Sequence, residues 1–184
     1  MSEQKDLMLR GEIFCWDDPE LEAGRLRGAR LLERYNSTPR AEVAAREAIL
    51  KDLFGHLGER VNIVAPVYCE YGDQISVEDD VFMNVNVMLL DVGRIVVKRW
   101  AMLGPGVQLL TATHPIEAQG RIDRLEQGKP ITIGEAAWLG GGVIVLPGVT
   151  IGDRTTVGAG SVVTKDLPPD VLAVGNPARV IRSL

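Results

Sequence analysis

The chain has 184 residues, the size of one domain, and 46% hydrophobic against 24% charged residues excludes intrinsic disorder. Lys and Arg number 20 against 25 Asp and Glu, so the net charge of −5 argues against nucleic-acid binding and against an anionic membrane surface. Cys15 and Cys69 are too few for a disulfide framework or a cysteine zinc site, and they read as small buried hydrophobes in a reducing compartment.

The first twelve residues, MSEQKDLMLRGE, are polar and lack the apolar run of a secretory signal. Next, Leu21, Leu26, Ala29, Leu32 and Tyr35 fall near helical spacing. The run Asn36-Ser37-Thr38-Pro39 breaks that helix and predicts a second, with Thr38 as N-cap and Pro39 at its first position. Val43, Leu50, Leu53, Phe54 and Leu57 give the second helix an apolar face, and Gly55 and Gly58 mark its end. His56, at that end, is read as structural. Residues 1–58 are thus expected to form a helical cap, which the resemblance described below also places at the substrate, followed by a repeat domain from 61 to 184.

From residue 61 a period of six replaces the helical one. Ile133, Leu139, Val145, Ile151, Val157 and Val163 follow one another at that spacing, most with a glycine next in sequence. Small residues recur four places after the aliphatic, as in Ala137, Val143, Thr155 and Ser161. Upstream, Ile63, Cys69, Ile75, Val81 and Val87 keep the period, which slips by two and resumes at Ile95, Ala101 and Val107. Three hexads make one coil of a triangular prism: aliphatics stack inward, small residues turn the corners, and each coil needs a neighbour to hydrogen-bond. An antiparallel sandwich would keep this spacing only by chance. The predicted fold is therefore an all-β parallel β-helix, and the general crossover rule favours a right-handed coil. Two uncharged stretches of 17 residues, Trp100–Ile116 and Ala136–Gly152, approach membrane-span length, yet the second holds five glycines, Pro147 and the six-fold period. A cytoplasmic location without membrane attachment is expected.

One polar segment at about 111–130, TATHPIEAQGRIDRLEQGKP, lacks the period and reads as a long loop thrown out of the coil. Long loops on rigid scaffolds tend to carry function, and this one holds His114, one of only two histidines. An ordinary imidazole titrates near pH about 6.5, which suits removal of a proton from a hydroxyl. The histidine count also sets aside a zinc hydratase, whose metal takes three histidines, and no metal is expected.

The loop TATHP, the run GKPITIGEAAWLGGGVIVLPGVTIGD and the tail VTKDLPPDVLAVGNPARVI, together with LRGEIF, DPEL, RLRGARLL and RYN, resemble the hexapeptide-repeat sugar O-acetyltransferases. Maltose and galactoside acetyltransferases resemble it most, with nodulation acetyltransferases nearby. The resemblance implies a left-handed helix, a homotrimer with clefts between subunits, and acetyl transfer from acetyl-CoA to a sugar hydroxyl. It implies that His114 is the general base and that Asn84 contacts substrate and thioester, while Asn86 belongs to a structural ladder. It places Trp138, Gly141, Ala159, Thr164, Lys165, Arg179 and Arg182 at acetyl-CoA. On the acceptor side it suggests Asp17 or Asp18, Arg25, Glu70, Asp91 and Glu126. The chain departs from the family pattern at four places. Gly141 stands where relatives carry a serine, Trp16 and Val92 where galactoside enzymes carry aspartates, and Glu70 where they carry a serine. The LLDV sequence resembles the maltose branch instead. With no nucleophilic cysteine or serine motif, direct transfer in a ternary complex is expected. Competing readings are another acceptor, such as a lipo-oligosaccharide, an antibiotic or an amino sugar, and a non-catalytic β-helix binding protein.

Overall fold

The computed structural model describes residues 1–184. Its body is a parallel β-solenoid in which the chain visits three sheets in rotation, the faces of a triangular prism. Face I is formed by His56–Leu57, Ile75–Val77, Ile95–Val97, Ile131–Ile133 and Thr150–Ile151. Face II is formed by Asn62–Ile63, Phe82–Met83, Met102–Leu103, Trp138–Leu139, Thr156–Val157 and Val171–Val174. The last strand, Arg179–Ser183, adds to it antiparallel. Face III is formed by Val67–Cys69, Val87–Leu90, Gln108–Leu110, Ile144–Val145 and Val162–Val163.

Inward residues come in pairs two apart, because side chains of a strand alternate between faces. Ile75 and Val77, Val87 and Leu89, Ile95 and Val97, and Val143 and Val145 are at most 1% exposed and form the core with their equivalents. The aliphatics of the period and the small residues four places later are the two members of such pairs. Pairing explains a slip that the sequence hides. In hydrogen-bonded register Cys69 matches Leu89 and Leu109, while Val77 matches Leu57, Val97 and Ile133. The step Cys69 to Val77 is therefore eight residues, as is Leu89 to Val97, and Leu109 to Ile133 is 24. The first insertion escapes a simple count because Cys69 is the second member of its pair and Ile75 the first of the next. All three departures fall on one edge of the prism, between faces III and I.

The first helix, α1 (Glu3–Leu9), was not expected from the sequence: it is only seven residues long, capped by Ser2 and buried through Met8. Helix α2 spans Pro19–Ser37, with Asp18 as N-cap accepting from the backbone N–H groups of Glu20 and Leu21. Its inner face is Leu21, Gly28, Leu32 and Tyr35, whereas Leu26 and Ala29 are exposed. Gly28 belongs to that face because a Cβ there would lie 2.7 Å from the Glu70 carbonyl oxygen. The next helix, α3 (Val43–Leu53), starts later than predicted, with Glu42 at its N-cap. Thr38 ends α2 instead of starting α3, because its hydroxyl donates back to the Arg34 carbonyl. Val43 is 68% exposed, and His56 and Leu57 belong to the first strand of face I, not to a helix end. Leu32 and Tyr35 of α2 and Ile49, Leu50 and Leu53 of α3 join the solenoid core and close its first coil.

The remaining helical segments lie along the swollen edge. Met8, Phe14, Leu21, Tyr71 and Val92 form a second apolar cluster there. The excursion is not an irregular loop. Ala112–Thr113 pairs antiparallel with Leu125–Gly128, which pairs in turn with Phe14–Cys15. A short helix, α4 (Ala118–Ile122), fills the tip. The six-fold period does not encode this small sheet, whose third strand lies over 100 residues away in sequence. No helix of the protein is long and apolar enough to cross a membrane.

Candidate active site

A two-residue insertion leaves backbone N–H groups at a corner without ladder partners, and burial makes each of them costly. Asp91 answers the first insertion. It is fully buried, and its carboxylate accepts from Glu70 (2.8 Å), Tyr71 (3.0 Å) and Gly72 (2.7 Å). Burial raises the pKa of this carboxyl, and the three N–H donors act against that rise. One coil further, Thr111 takes the Gly93 N–H at 2.8 Å. These side chains shape the corner from which Glu70 projects. Asp91, also an acceptor-side candidate from the sequence, is here occupied by these three N–H groups.

Glu70 opens into a cleft of about 430 Å³ lined also by Trp16, Glu22, Arg25, His114 and Glu126. Four of the six, Arg25, Glu70, His114 and Glu126, were singled out in the sequence. Trp16 and Glu22 were not. The only signal for Trp16 was its position where galactoside enzymes carry an aspartate, and Glu22 gave none, being one charge among many on α2. Of the aspartates, Asp18 is consumed as the α2 N-cap, while the more exposed Asp17 pairs with Arg124, whose guanidinium lies 5.7 Å from the Trp16 ring centre.

The hairpin delivers His114 to this cleft and also orients it. Nδ1 lies 3.0 Å from the Leu125 carbonyl oxygen. A carbonyl can only accept, so Nδ1 carries the proton and Nε2 presents a lone pair. Nε2 lies 3.8 Å from Oε1 of Glu126, a residue only 8% exposed. Burial raises the Glu126 pKa, opposed by His114 and Arg25. Burial also pushes Glu70 up to about 7, reinforced by the charges of Glu126 and Asp91.

That shift has a sign. Glu70 titrates from 4.5 in an unfolded chain to about 7 when folded, so the folded state prefers its neutral form. Its contribution is fully present below pH 4.5 and is lost as pH rises to about 7. Glu70→Gln is expected to match the wild type near pH 4 and to exceed it above pH 7. The gain is on the order of 1 kcal/mol, since the partly hydrated carboxyl keeps only part of the shift. Urea melts at the two pH values would check this.

The other sequence candidates lie elsewhere on the prism. Asn84 turns the edge between faces II and III, its Oδ1 accepting from the Val85 N–H at 2.8 Å, which leaves its amide N–H groups free. Gly141 and Ala159 stack on the same edge, and Trp138, 53% exposed, borders it on face II. Asn86, one corner position on, has φ 61°, which fits its structural reading. Thr164 and Lys165 are exposed at the last III-to-I corner, and Arg179 and Arg182 are exposed on the final strand. A single chain thus joins His114 to Glu70, Glu126 and Arg25, but leaves Asn84 and Trp138 off that cleft.

The II-to-III edge has an internal control. At the I-to-II edge the same left-handed turn is made by Arg60, Asp80, Trp100, Ala136, Arg154 and Asp170, with φ between 53° and 59°. At the II-to-III edge it is made by Asn86, Gly106, Gly142 and Gly160. A Cβ on any of those three glycines would meet nothing within 4 Å. Packing does not demand glycine there, and the I-to-II edge shows that other residues can hold the same strained turn, so what glycine also provides is a groove free of side chains beside Trp138. Burial pushes the pKa of the Cys69 thiol, next to Glu70, far up, which disfavours the thiolate that a nucleophile needs.

Comparison with known proteins supplies the chemistry. Residues 7–58 match the maltose acetyltransferase hexapeptide capping motif, and residues 130–165 match the bacterial transferase hexapeptide with six repeats. Galactoside O-acetyltransferase of Escherichia coli is 37% identical over 95% of this chain and 86% of its own. The crystal structure of a maltose O-acetyltransferase from Clostridium difficile is 44% identical, with a TM-score of 0.97 over 100% of this chain and 98% of that one. A hexapeptide-repeat acetyltransferase from Vibrio cholerae, solved in complex with acetyl coenzyme A, is 40% identical with a TM-score of 0.92, covering 100% and 99%.

Proposed function

The chain belongs to the maltose and galactoside type of hexapeptide-repeat acetyltransferases and is an acetyl-CoA-dependent O-acetyltransferase; from that premise we propose that it acetylates a sugar hydroxyl directly, with His114 as general base. The observation that carries this reading is the 3.0 Å contact between His114 Nδ1 and the Leu125 carbonyl oxygen, which favours the tautomer with an unprotonated Nε2 in a residue that lines the cleft. Nε2 takes the hydroxyl proton as the sugar oxygen attacks the thioester carbonyl. The tetrahedral intermediate then expels the CoA thiolate, which recovers the proton from the imidazolium. The Leu125 carbonyl keeps Nδ1–H engaged throughout, and Glu126 stabilises the cation formed between the two steps. The free amide of Asn84 and the Gly141 N–H are the donors for the oxyanion. The glycine groove beside Trp138 takes the pantetheine arm, and Thr164, Lys165, Arg179 and Arg182 meet the phosphates.

Because His114 and Asn84 stand on different edges of one prism, a complete site needs two copies, which supports a homotrimer with its clefts between neighbours. The exposed apolar row of Met102 and Trp138 on face II suits such packing. Subunit mixing tests the whole reading. His114→Ala and Asn84→Ala should each be nearly inactive, and a one-to-one mixture reassembled from unfolded chains should regain activity in about a quarter of its sites. O-acetyl sugar detected by mass spectrometry is the readout; a mixture no more active than its components would refute the shared site.

The groove has its own test. Gly142→Leu is expected to raise the KM for acetyl-CoA about tenfold or more while lowering stability by only about 1 kcal/mol, the strain of a side chain in a left-handed turn. Ala136→Leu, in the same conformation at the other edge, should leave KM unchanged.

A further inference from the structure

A second cavity, of about 630 Å³, lies at the floor of the prism, between the turn joining α2 to α3 and the first coil, and shares no residue with the acceptor cleft. Half of its wall is apolar, including Val43 and Leu50 of α3 and Leu57, Val61 and Ile63 of the first coil. Its charged residues are Arg40, Arg46 and Arg60 against Glu47, giving +3 − 1 = +2 in a chain of net charge −5. Two of the four are already engaged. Arg60 is held by Asp80 through two hydrogen bonds of 2.6 and 2.7 Å, and Glu47 pairs with Lys51 at 2.6 Å. Arg40 and Arg46 form no ion pair within the chain.

Arg46 is only 9% exposed, and arginine is rarely buried without an acid beside it. Nη1 donates to the carbonyls of Tyr35 (3.4 Å) and Thr38 (2.9 Å) and Nη2 to that of Ile63 (3.1 Å), with the guanidinium 4.1 Å from the Tyr35 ring centre. These neutral contacts fix the plane of the fork and leave its charge unbalanced. Nε has no acceptor in the chain. No side-chain nitrogen of a buried residue is both unpaired and sealed from solvent, so Nε is reached from the cavity that Arg46 lines. The start of α3 adds to the positive field, since the Glu42 side chain does not cap the N–H groups of the turn that carries Val43 and Arg46.

We propose that this cavity is a binding site for an aliphatic carboxylate, its head group on Arg46 with Arg40 at the mouth and its tail along Val43, Leu50, Leu57 and Ile63. A planar carboxylate matches a guanidinium held in a fixed plane and supplies the missing counter-charge. Two unpaired cations, one of them exposed, suit a single anionic head. A polyanion such as a nucleotide would set phosphates against the aliphatic half of the wall, where nothing pairs them. The volume lies within the range of about 300–1,000 Å³ typical of small-molecule sites. The ligand bridges α3 and the first coil, so its binding stabilises the cap by mass action without entering the acceptor cleft.

Calorimetric titration of the full chain with octanoate, kept far below its micelle range, tests this. One octanoate per chain should bind, with the same isotherm in the presence and absence of saturating acetyl-CoA. Octanol, which has the same tail and no charge, should bind about tenfold or more weaker, the value of one charge-assisted hydrogen bond. Arg46→Lys keeps the charge but loses the fork, and should weaken octanoate about tenfold. Arg46 also ties α2 to the first coil, so Val43→Glu is the second variant. That position is 68% exposed, and a carboxylate placed there on the cavity wall should weaken octanoate by a similar factor with the fold intact. Absence of saturable binding, equal binding of octanol, or unchanged octanoate affinity in the folded variants would overturn the proposal. So would displacement of octanoate by acetyl-CoA, which would place the ligand in the glycine groove instead.

Discussion

His114→Ala is expected to lower kcat for sugar acetylation by a factor of about 10²–10⁴, the usual contribution of a positioned general base. The KM for acetyl-CoA should barely move, because the proposed role of His114 is toward the acceptor hydroxyl, while the cofactor is held by the glycine groove, Trp138 and the basic residues. Stability should also hold. The ring is 44% exposed and its one hydrogen bond goes to a carbonyl that water can satisfy, so thermal melts should shift by no more than a degree or two. The combination separates chemistry from binding, since loss of an interaction made only at the transition state lowers kcat and kcat/KM together. A variant that binds acetyl-CoA normally and acetylates at the wild-type rate would leave the protein without a general base at this position. His114→Gln sharpens the point: its amide can donate to the Leu125 carbonyl but cannot take up a proton, so it should be as inactive as alanine.

What the sequence made legible follows from how each feature is encoded. The solenoid was readable because six unbroken hexads from Ile133 to Val163 repeat a single physical requirement, an inward aliphatic on every strand. His114 was readable as an anomaly, a histidine in the one long polar break of that pattern. The first two-residue insertion was not readable, because strand alternation offers two inward phases and Cys69 to Ile75 passes from one to the other without breaking the count. The α2 core face was misread at Leu26 and Ala29, since a glycine, Gly28, makes the closest approach to the sheet and glycine carries no hydrophobic signal. Thr38 was misassigned because a threonine before proline can start a helix or end one. Its hydroxyl chose the Arg34 carbonyl, a choice settled by where α3 can reach the first coil. Trp16 and Glu22 join His114 only because Phe14–Cys15 pairs with the far strand of the excursion, and no local pattern encodes a contact that distant.

Asp91→Ala should have the largest structural effect, costing about 3 kcal/mol or more, because three backbone N–H groups, two of them buried, lose one shared acceptor. Asp91→Asn offers a graded comparison. One oxygen of the native carboxylate serves Glu70 and Tyr71 while the other serves Gly72. An asparagine oxygen can keep the first two, but its amide would then point donors at the Gly72 N–H, so a loss roughly half as large is expected. Denaturant melts of both variants would rank them, and the ranking wild type, Asn, Ala is the signature of an acceptor role. If Asp91 instead served the acceptor sugar directly, alanine would raise the acceptor KM and leave the melt unchanged. The expected coupling runs the other way. Loosening this corner displaces Glu70 and Tyr71, and Tyr71 both anchors Arg25 and packs with Phe14, a residue of the strand that aligns the hairpin. Acceptor selection should therefore degrade in step with stability. A two-residue swelling in each of two coils, plugged from the coil above by a carboxylate and then by the Thr111 hydroxyl, is what turns a uniform prism edge into a cleft, and the plug rather than any ligand contact is why an acid stands at 91.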